Sequence, residues 1–89
     1  MREPHPAALT FPCEFPIKVL GAATPDFDQL VVTIVRRHVP GLGEGAVRTR
    51  PSRGGRYVAV TVTVTAASQD QLDAIYCDLT ACDRIALVL

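Results

Sequence analysis

The sequence predicts an α+β sandwich in which two helices cover one face of a four-stranded antiparallel sheet. The clearest observation is a strict alternation of valine with small or hydroxyl residues over residues 58–65. Successive side chains of a strand point to opposite faces, so the valines share a face suited to burial and the intervening residues share the other. Two segments with apolar residues at helical spacing supply the cover for the valine face.

The first strand is predicted at residues 15–20. Phe15, Ile17 and Val19 alternate with residues that tolerate water, which is typical of a half-buried strand. Gly21 is expected to end this strand.

The first helix is predicted to begin at Thr24-Pro25-Asp26. Threonine is a favoured N-cap, proline fits the first helical position, and aspartate suits the positive first turn. Apolar residues then recur at helical spacing in one stripe, which comprises Phe27, Leu30, Val31, Ile34, Val35 and His38. Pro40-Gly41 is expected to stop the helix.

A hairpin is predicted in the middle of the chain. Its first strand, at about residues 46–51, places Val47 and Thr49 on one face and Arg48 and Arg50 on the other. The turn has the sequence Ser52-Arg53-Gly54-Gly55. Its glycines supply the positive φ angles of a tight turn, and the valine strand follows.

A second helix and a last strand complete the chain. Ser68 and Gln71 have the spacing of a capping box, which predicts a helix start. The apolar stripe of this helix comprises Leu72, Ile75, Tyr76 and Leu79. Asp83-Arg84 is expected to turn the chain, and the aliphatic residues 85–89 predict the last strand.

The predicted order of elements is β-α-β-β-α-β. Right-handed crossovers place both helices on the same sheet face, and the simplest arrangement that satisfies them is the ferredoxin-like fold. We expect one domain over residues 11–89. Residues 1–10 are expected to form a flexible tail, because they contain prolines and no apolar periodicity.

Composition narrows the class of protein. Nine basic and nine acidic residues cancel, which disfavours nonspecific binding to nucleic acid or membranes. No apolar run approaches the roughly 20 residues that span a bilayer, and the start lacks a signal-peptide core, so a cytoplasmic location is expected.

The three cysteines and His38 lack the spacing of a metal site or a nucleophile pair. We therefore predict no enzyme activity, cofactor or metal.

Much of the chain resembles one family of small bacterial proteins, the YbeD-type family. The segments that carry the resemblance are FPCEFPIKVLG (11–21), IVRRHVP (34–40), RPSRGGRY (50–57) and IALVL (85–89). The resemblance implies an ACT-like ferredoxin fold, similar to the regulatory domains of amino-acid-pathway enzymes, and a regulatory link to lipoate metabolism. It implies no catalytic residues. The chain departs from the pattern at Ala59, where a serine is expected, so a hydroxyl on the open sheet face is missing.

Four arginines surround the predicted turn, namely Arg48, Arg50, Arg53 and Arg56. Guanidinium groups pair with phosphates and carboxylates, although arginines at a sheet edge also simply stay solvated and hinder aggregation. Residues 53–60 occupy the place where an RNA-recognition motif carries base-stacking aromatics. RNA binding through Tyr57 and the arginine hairpin is therefore the alternative function, which the zero net charge and the single aromatic disfavour.

A second candidate site is the loop of residues 20–24. The resemblance implies that this loop corresponds to the glycine-containing loop of ACT-like domains, which borders an amino-acid-sized ligand at a dimer interface. The free backbone N–H groups of the following helix would suit an anion. A tight strand-to-helix turn with an ordinary cap is the alternative interpretation.

We expect a non-catalytic regulatory or interaction module that binds a small metabolite or a partner protein. The expected contact residues lie on the open sheet face, in the hairpin and in the loop of residues 20–24, and they are Lys18, Gly21, Thr24, Arg50, Ser52, Arg53, Tyr57, Thr61 and Thr63. A half-apolar open sheet face commonly pairs with another sheet, so a homodimer is also expected.

Overall fold

The computed structural model describes residues 10–89, which fold in the predicted order. The elements are β1 (Cys13–Ala22), α1 (Phe27–Arg36), a short 3₁₀ helix (Glu44–Ala46), β2 (Val47–Pro51), β3 (Tyr57–Ala66), α2 (Gln69–Thr80) and β4 (Ile85–Val88). The strands form one four-stranded sheet in the order β2-β3-β1-β4, and all neighbours are antiparallel. The ferredoxin-like prediction is therefore confirmed. The predicted tail falls outside the described residues, except for Thr10.

The valine face of β3 is the floor of the core, as its alternation predicts. Val60, Val62 and Val64 are completely buried, and so are Ile17 and Val19 on the neighbouring strand β1. Both helices pack on this face, and their buried side chains are Phe27, Val31, Ile34 and Val35 from α1 and Leu72, Ile75 and Leu79 from α2. Since both helices lie on one side, the opposite side of the sheet has no cover from the described residues.

The strand β1 is longer than predicted, and Gly21 does not end it. β1 pairs with β3 over its whole length, from Cys13 opposite Ala66 to Ala22 opposite Tyr57. Gly21 lies inside the strand and points to the core, where the ring of Phe27 lies directly over it. The glycine is there because the strand continues beneath an aromatic ring that leaves no room for a side chain.

The predicted start of α1 is wrong by two residues. Asp26 occupies the N-cap position, and it makes no side-chain capping bond. Thr24 lies two residues earlier, where its carbonyl accepts a hydrogen bond from the N–H of Phe27. Its hydroxyl donates to the Asp26 carboxylate at 3.1 Å and accepts from the guanidinium of Arg84. Thr24 is thus engaged with the loop before β4, which removes it from the capping role.

The helix α1 also ends earlier than its apolar stripe suggests. Its last residue is Arg36, whose guanidinium donates to the carbonyl of Leu42. His38 lies in the following turn, half-buried, with its Nε2 atom 2.6 Å from Oδ2 of Asp78 on α2. The apolar stripe of α1 therefore extends beyond the end of the helix to His38, whose side chain links the turn after α1 to α2.

The other boundaries follow the predicted signals closely. Gly54 and Gly55 have φ angles of 87° and 75°, as the tight turn requires. The hydroxyl of Ser68 accepts from the N–H of Gln71 at 3.1 Å, which confirms the cap of α2. The side chain of Gln71 returns to the N–H of Ala67, one residue before the position that a capping box uses. β2 and β4 are each one residue shorter than predicted.

An ion pair ties the start of α1 to the loop before β4. Arg84 donates to both carboxylate oxygens of Asp26, at 2.7 and 3.0 Å. These bonds, with a smaller contribution from Thr24, hold the pKa of Asp26 well below its ordinary range. The folded protein therefore binds this proton less readily than the unfolded chain does. The stability that results is present above the unfolded pKa of about 4 and is lost as the pH falls.

We therefore expect Asp26→Asn to have a flatter acid limb than the wild type. The free energy of unfolding should fall less steeply below about pH 4 in the variant, because one carboxyl with a depressed folded pKa has been removed. Urea titrations at several pH values measure this slope. Identical slopes for the two proteins would show that the ion pair does not contribute to acid stability.

Candidate functional site

The candidate site is the open face, by which we mean the side of the sheet opposite the two helices. The strand registers arrange its side chains in rows that cross the sheet from β2 to β4. One row comprises Arg50, Ala59, Leu20 and Leu87. The next row comprises Arg48, Thr61, Lys18 and Leu89, with Leu89 joined to Lys18 by two backbone hydrogen bonds. Both rows run from arginine at the β2 edge to leucine at the β4 edge.

The apolar residues that the fold leaves uncovered are concentrated on this face. Among the described residues, the large hydrophobic side chains with high exposure are Tyr57, Leu87 and Leu89, at 52%, 49% and 59%. All three belong to the open face, because Tyr57 pairs with Ala22 and the leucines extend the two rows. Scattered exposed leucines are normal in proteins, whereas clustering on one uncovered sheet face is typical of a contact surface.

The cations of the open face are free of intramolecular partners within residues 10–89. Lys18, Arg48 and Arg50 make no side-chain hydrogen bond or ion pair there, and all three line a shallow concavity of about 640 Å³. Among the described residues of this face, the acidic side chain is that of Glu14, which lies opposite Thr65 near the start of β1. The face is therefore positively charged, although the whole chain has no net charge.

The structure brings most of the predicted contact residues together. Lys18 lies directly opposite Thr61, and Thr63 lies two residues further along β3 on the same face. Arg50 and Tyr57 border the same concavity. They are joined there by Ser52, whose hydroxyl accepts from the N–H of Tyr57 at 3.0 Å and so fixes the hairpin turn. Arg53 is exposed at the tip of that turn.

Gly21 and Thr24 do not join the open face. Gly21 points into the core beneath Phe27, and Thr24 contacts Arg84 on the helix side of the sheet. Asp26 and Asp28 lie at the N-terminus of α1, where an anionic ligand would meet their negative charge. The geometry therefore favours the open face over the loop of residues 20–24 as the contact surface.

Within residues 10–89, the open face offers a single aromatic ring for stacking. Tyr57 lies at its corner, and Phe15, which alternates onto the core side with Ile17, packs against the hydrophobic core. RNA-recognition sheets stack two or three bases on aromatic side chains. The centre of this face, at Ala59, Leu20 and Thr61, has no ring to receive a base.

Three observations concern other classes of site or location. Within residues 10–89, no three His, Cys, Asp or Glu side chains are grouped so that they could hold a metal ion. The cysteines in this range are free thiols, with Cys77 exposed and the other two half-buried. In the same range, no helix is long and apolar enough to cross a membrane.

Sequence reasoning missed the leucines of the open face. Leu20 could have been found, because it lies two residues after Lys18 on the same strand and must share its face. Leu87 and Leu89 could not be assigned without the pairing of β4 with β1, which contains an irregularity between Leu20 and Gly21 that shifts the register. A shift of one residue exchanges the two faces of a strand.

Comparisons with known proteins give relatives for nearly the whole chain. A family model described as "Protein of unknown function (DUF493)" matches residues 6–89. A UPF0250 protein of Paraburkholderia phytofirmans is 47% identical over 79 residues, which cover 89% of each chain. A UPF0250 protein of Azotobacter vinelandii is 46% identical over 82 residues, covering 91% of this chain and 89% of the relative.

A solved structure shares the fold. The solution structure of protein HP0495 from H. pylori superposes with a TM-score of 0.70 and covers 92% of this chain and 86% of that one. The two sequences are 12% identical, so the likeness concerns the fold alone.

Proposed function

The chain belongs to the DUF493 family, in agreement with its YbeD-type resemblance, and on that premise we propose that it is a non-catalytic interaction module that holds another protein on its open face. The observation that carries the proposal is that Tyr57, Leu87 and Leu89, the exposed large hydrophobic residues of the described chain, all lie on one uncovered sheet face. An uncovered face that combines exposed apolar side chains with charged ones has the composition of a protein contact surface.

A second copy of this chain is a poor occupant of the open face. If two such faces met with their β2 edges together, Arg48 and Arg50 of one copy would oppose the same cations of the other. If the β2 edge met the β4 edge, those arginines would pack against the side chains of Leu87 and Leu89, which offer no counter-charge. The homodimer expected from the sequence remains a prediction, and sedimentation at high protein concentration tests it.

Site-specific photocrosslinking in the native cell tests the proposal. A photoreactive amino acid placed at Thr61, at the centre of the open face, should give a discrete adduct with another protein. The matched control is the same amino acid at Thr33, which is exposed on α1. The recovered protein, once purified, should bind the wild type and should bind Leu87→Ser about fivefold or more weakly, because truncating an interface anchor costs more than about 1 kcal/mol.

Either of two results would contradict the proposal. One is an adduct at Thr61 that contains only a second copy of the chain. The other is an equal yield of the same adduct at Thr61 and at Thr33, since that pattern indicates adventitious capture.

The regulatory role and the link to lipoate metabolism form a finer part of the same proposal. They are supported by the family resemblance and by the concavity beside Lys18 and Arg50, whose charges suit a carboxylate. Thermal-shift measurements with lipoate, octanoate and free amino acids test this part. A rise in Tm that disappears in Arg50→Gln is the expected result, and no rise with any of these compounds would leave a module that binds protein only.

A further inference from the structure

We propose that the partner presents carboxylates beside an aliphatic anchor, as an acidic and apolar segment of a protein. This inference rests on the proposed function and adds the chemistry of the partner. Its basis is the order of side chains across the open face, in which cations occupy the β2 edge and leucines the β4 edge.

The two rows place their charges and their apolar groups apart from each other. Arg48 and Arg50 on β2 and Leu87 and Leu89 at β4 are separated by three inter-strand spacings, or roughly 14 Å at ~4.8 Å per spacing. Lys18 lies between these two groups. A helix of about ten residues spans this distance at ~1.5 Å per residue, so one short segment reaches both ends. Such a segment would place acidic residues over β2 and aliphatic residues over β4.

Carboxylates match the cationic end better than the alternatives do. Guanidinium groups form paired hydrogen bonds with carboxylates, and the cations would gain ion pairs that the described side chains do not give them. Phosphates of RNA would satisfy the same arginines, but its bases would then lie over Ala59, Leu20 and Leu87, which offer no stacking partner. Leu87 and Leu89 at the β4 edge would be buried by aliphatic side chains, which a protein segment provides.

The test uses synthetic peptides and the whole chain labelled with ¹⁵N. The first probe is a peptide of about ten residues, enough to cross the sheet as a helix, with glutamates in one half and leucines in the other. The second has glutamine in place of every glutamate, and the third is a short oligouridylate RNA. Amide chemical shifts are followed during each titration, for the wild type, for Arg48→Glu/Arg50→Glu and for Arg37→Glu. Arg37 is exposed beyond α1, and its variant controls for the loss of positive charge as such.

The glutamate peptide should shift the amides of Lys18, Ala59 and Thr61, with an affinity that falls as salt is added. We expect the glutamine peptide and the double variant each to lower this affinity by roughly tenfold or more, and Arg37→Glu to bind as the wild type does.

The outcomes separate the two proposals. Equal binding of the glutamine peptide at the open face would overturn the acidic inference and leave the protein-binding function in place. Binding of the RNA without the glutamate peptide would overturn both. If no probe shifts the open face, the acidic inference fails, and the crosslink at Thr61 alone then decides the proposed function.

Discussion

Ile17→Ala should lower the free energy of unfolding by about 2–5 kcal/mol, whereas Lys18→Ala should change it by about 0.5 kcal/mol or less. Ile17 is completely buried under the helices, so its truncation leaves a cavity in the core. Lys18 is the next residue, exposed on the open face, and the described residues give it no partner to lose. Urea denaturation of the two variants measures both effects.

This pair of variants tests which face of the sheet is covered. Domains of this kind have total stabilities of roughly 5–15 kcal/mol, so the loss at Ile17 is large but measurable. Similar losses at Ile17 and Lys18 would mean that both faces are packed in the free protein, and the open face would then not be available to a partner. Lys18→Ala also provides a folded variant for the binding experiments.

Gly21→Ala should destabilise the protein by about 1–3 kcal/mol through overpacking. A β-carbon at Gly21 would overlap the ring of Phe27 and would lie 2.7 Å from the carbonyl oxygen of Arg84. The ring is completely enclosed in the core, so it has little freedom to move away. Gly45→Ala is the matched control, because a β-carbon there meets nothing within 4 Å.

The contact with Phe27 can be isolated with a double-mutant cycle. Phe27→Leu removes the ring atoms that the new methyl group would overlap, so Gly21→Ala should cost less in the Phe27→Leu background than in the wild type. The carbonyl of Arg84 remains, and the rescue should therefore be partial. Additive losses in the double variant would show that the ring is not the cause.

The sequence predicts the elements here because each one depends on local signals. The valine alternation, the helix cap at Ser68 and the glycine pair at Gly54 and Gly55 all act within a few residues, and the structure confirms each of them. The start of α1 was predicted wrongly because Thr24 bonds to Arg84, 60 residues away in the chain. No local pattern reports a contact of that separation.

Local sequence patterns predict only part of the open face. Its β1 and β3 residues follow from alternation, and so Lys18, Tyr57 and Thr61 were predicted together. Its leucine edge depends on the pairing of β4 with β1 at the edge of the sheet, and on a register irregularity between Leu20 and Gly21. The gradient from arginine to leucine is therefore a property of the fold, which the order of residues along the chain does not reveal.

Methyl chemical shifts of the labelled protein, recorded with the purified partner from the Thr61 adduct, test the central claim most directly. If the uncovered side of the sheet is the contact surface, the methyl groups of Leu20 and Leu87 should shift on binding while those of Leu30 and Val32 on α1 stay in place. Shifts confined to the helix methyls would place the partner on the wrong side of the molecule and contradict the account.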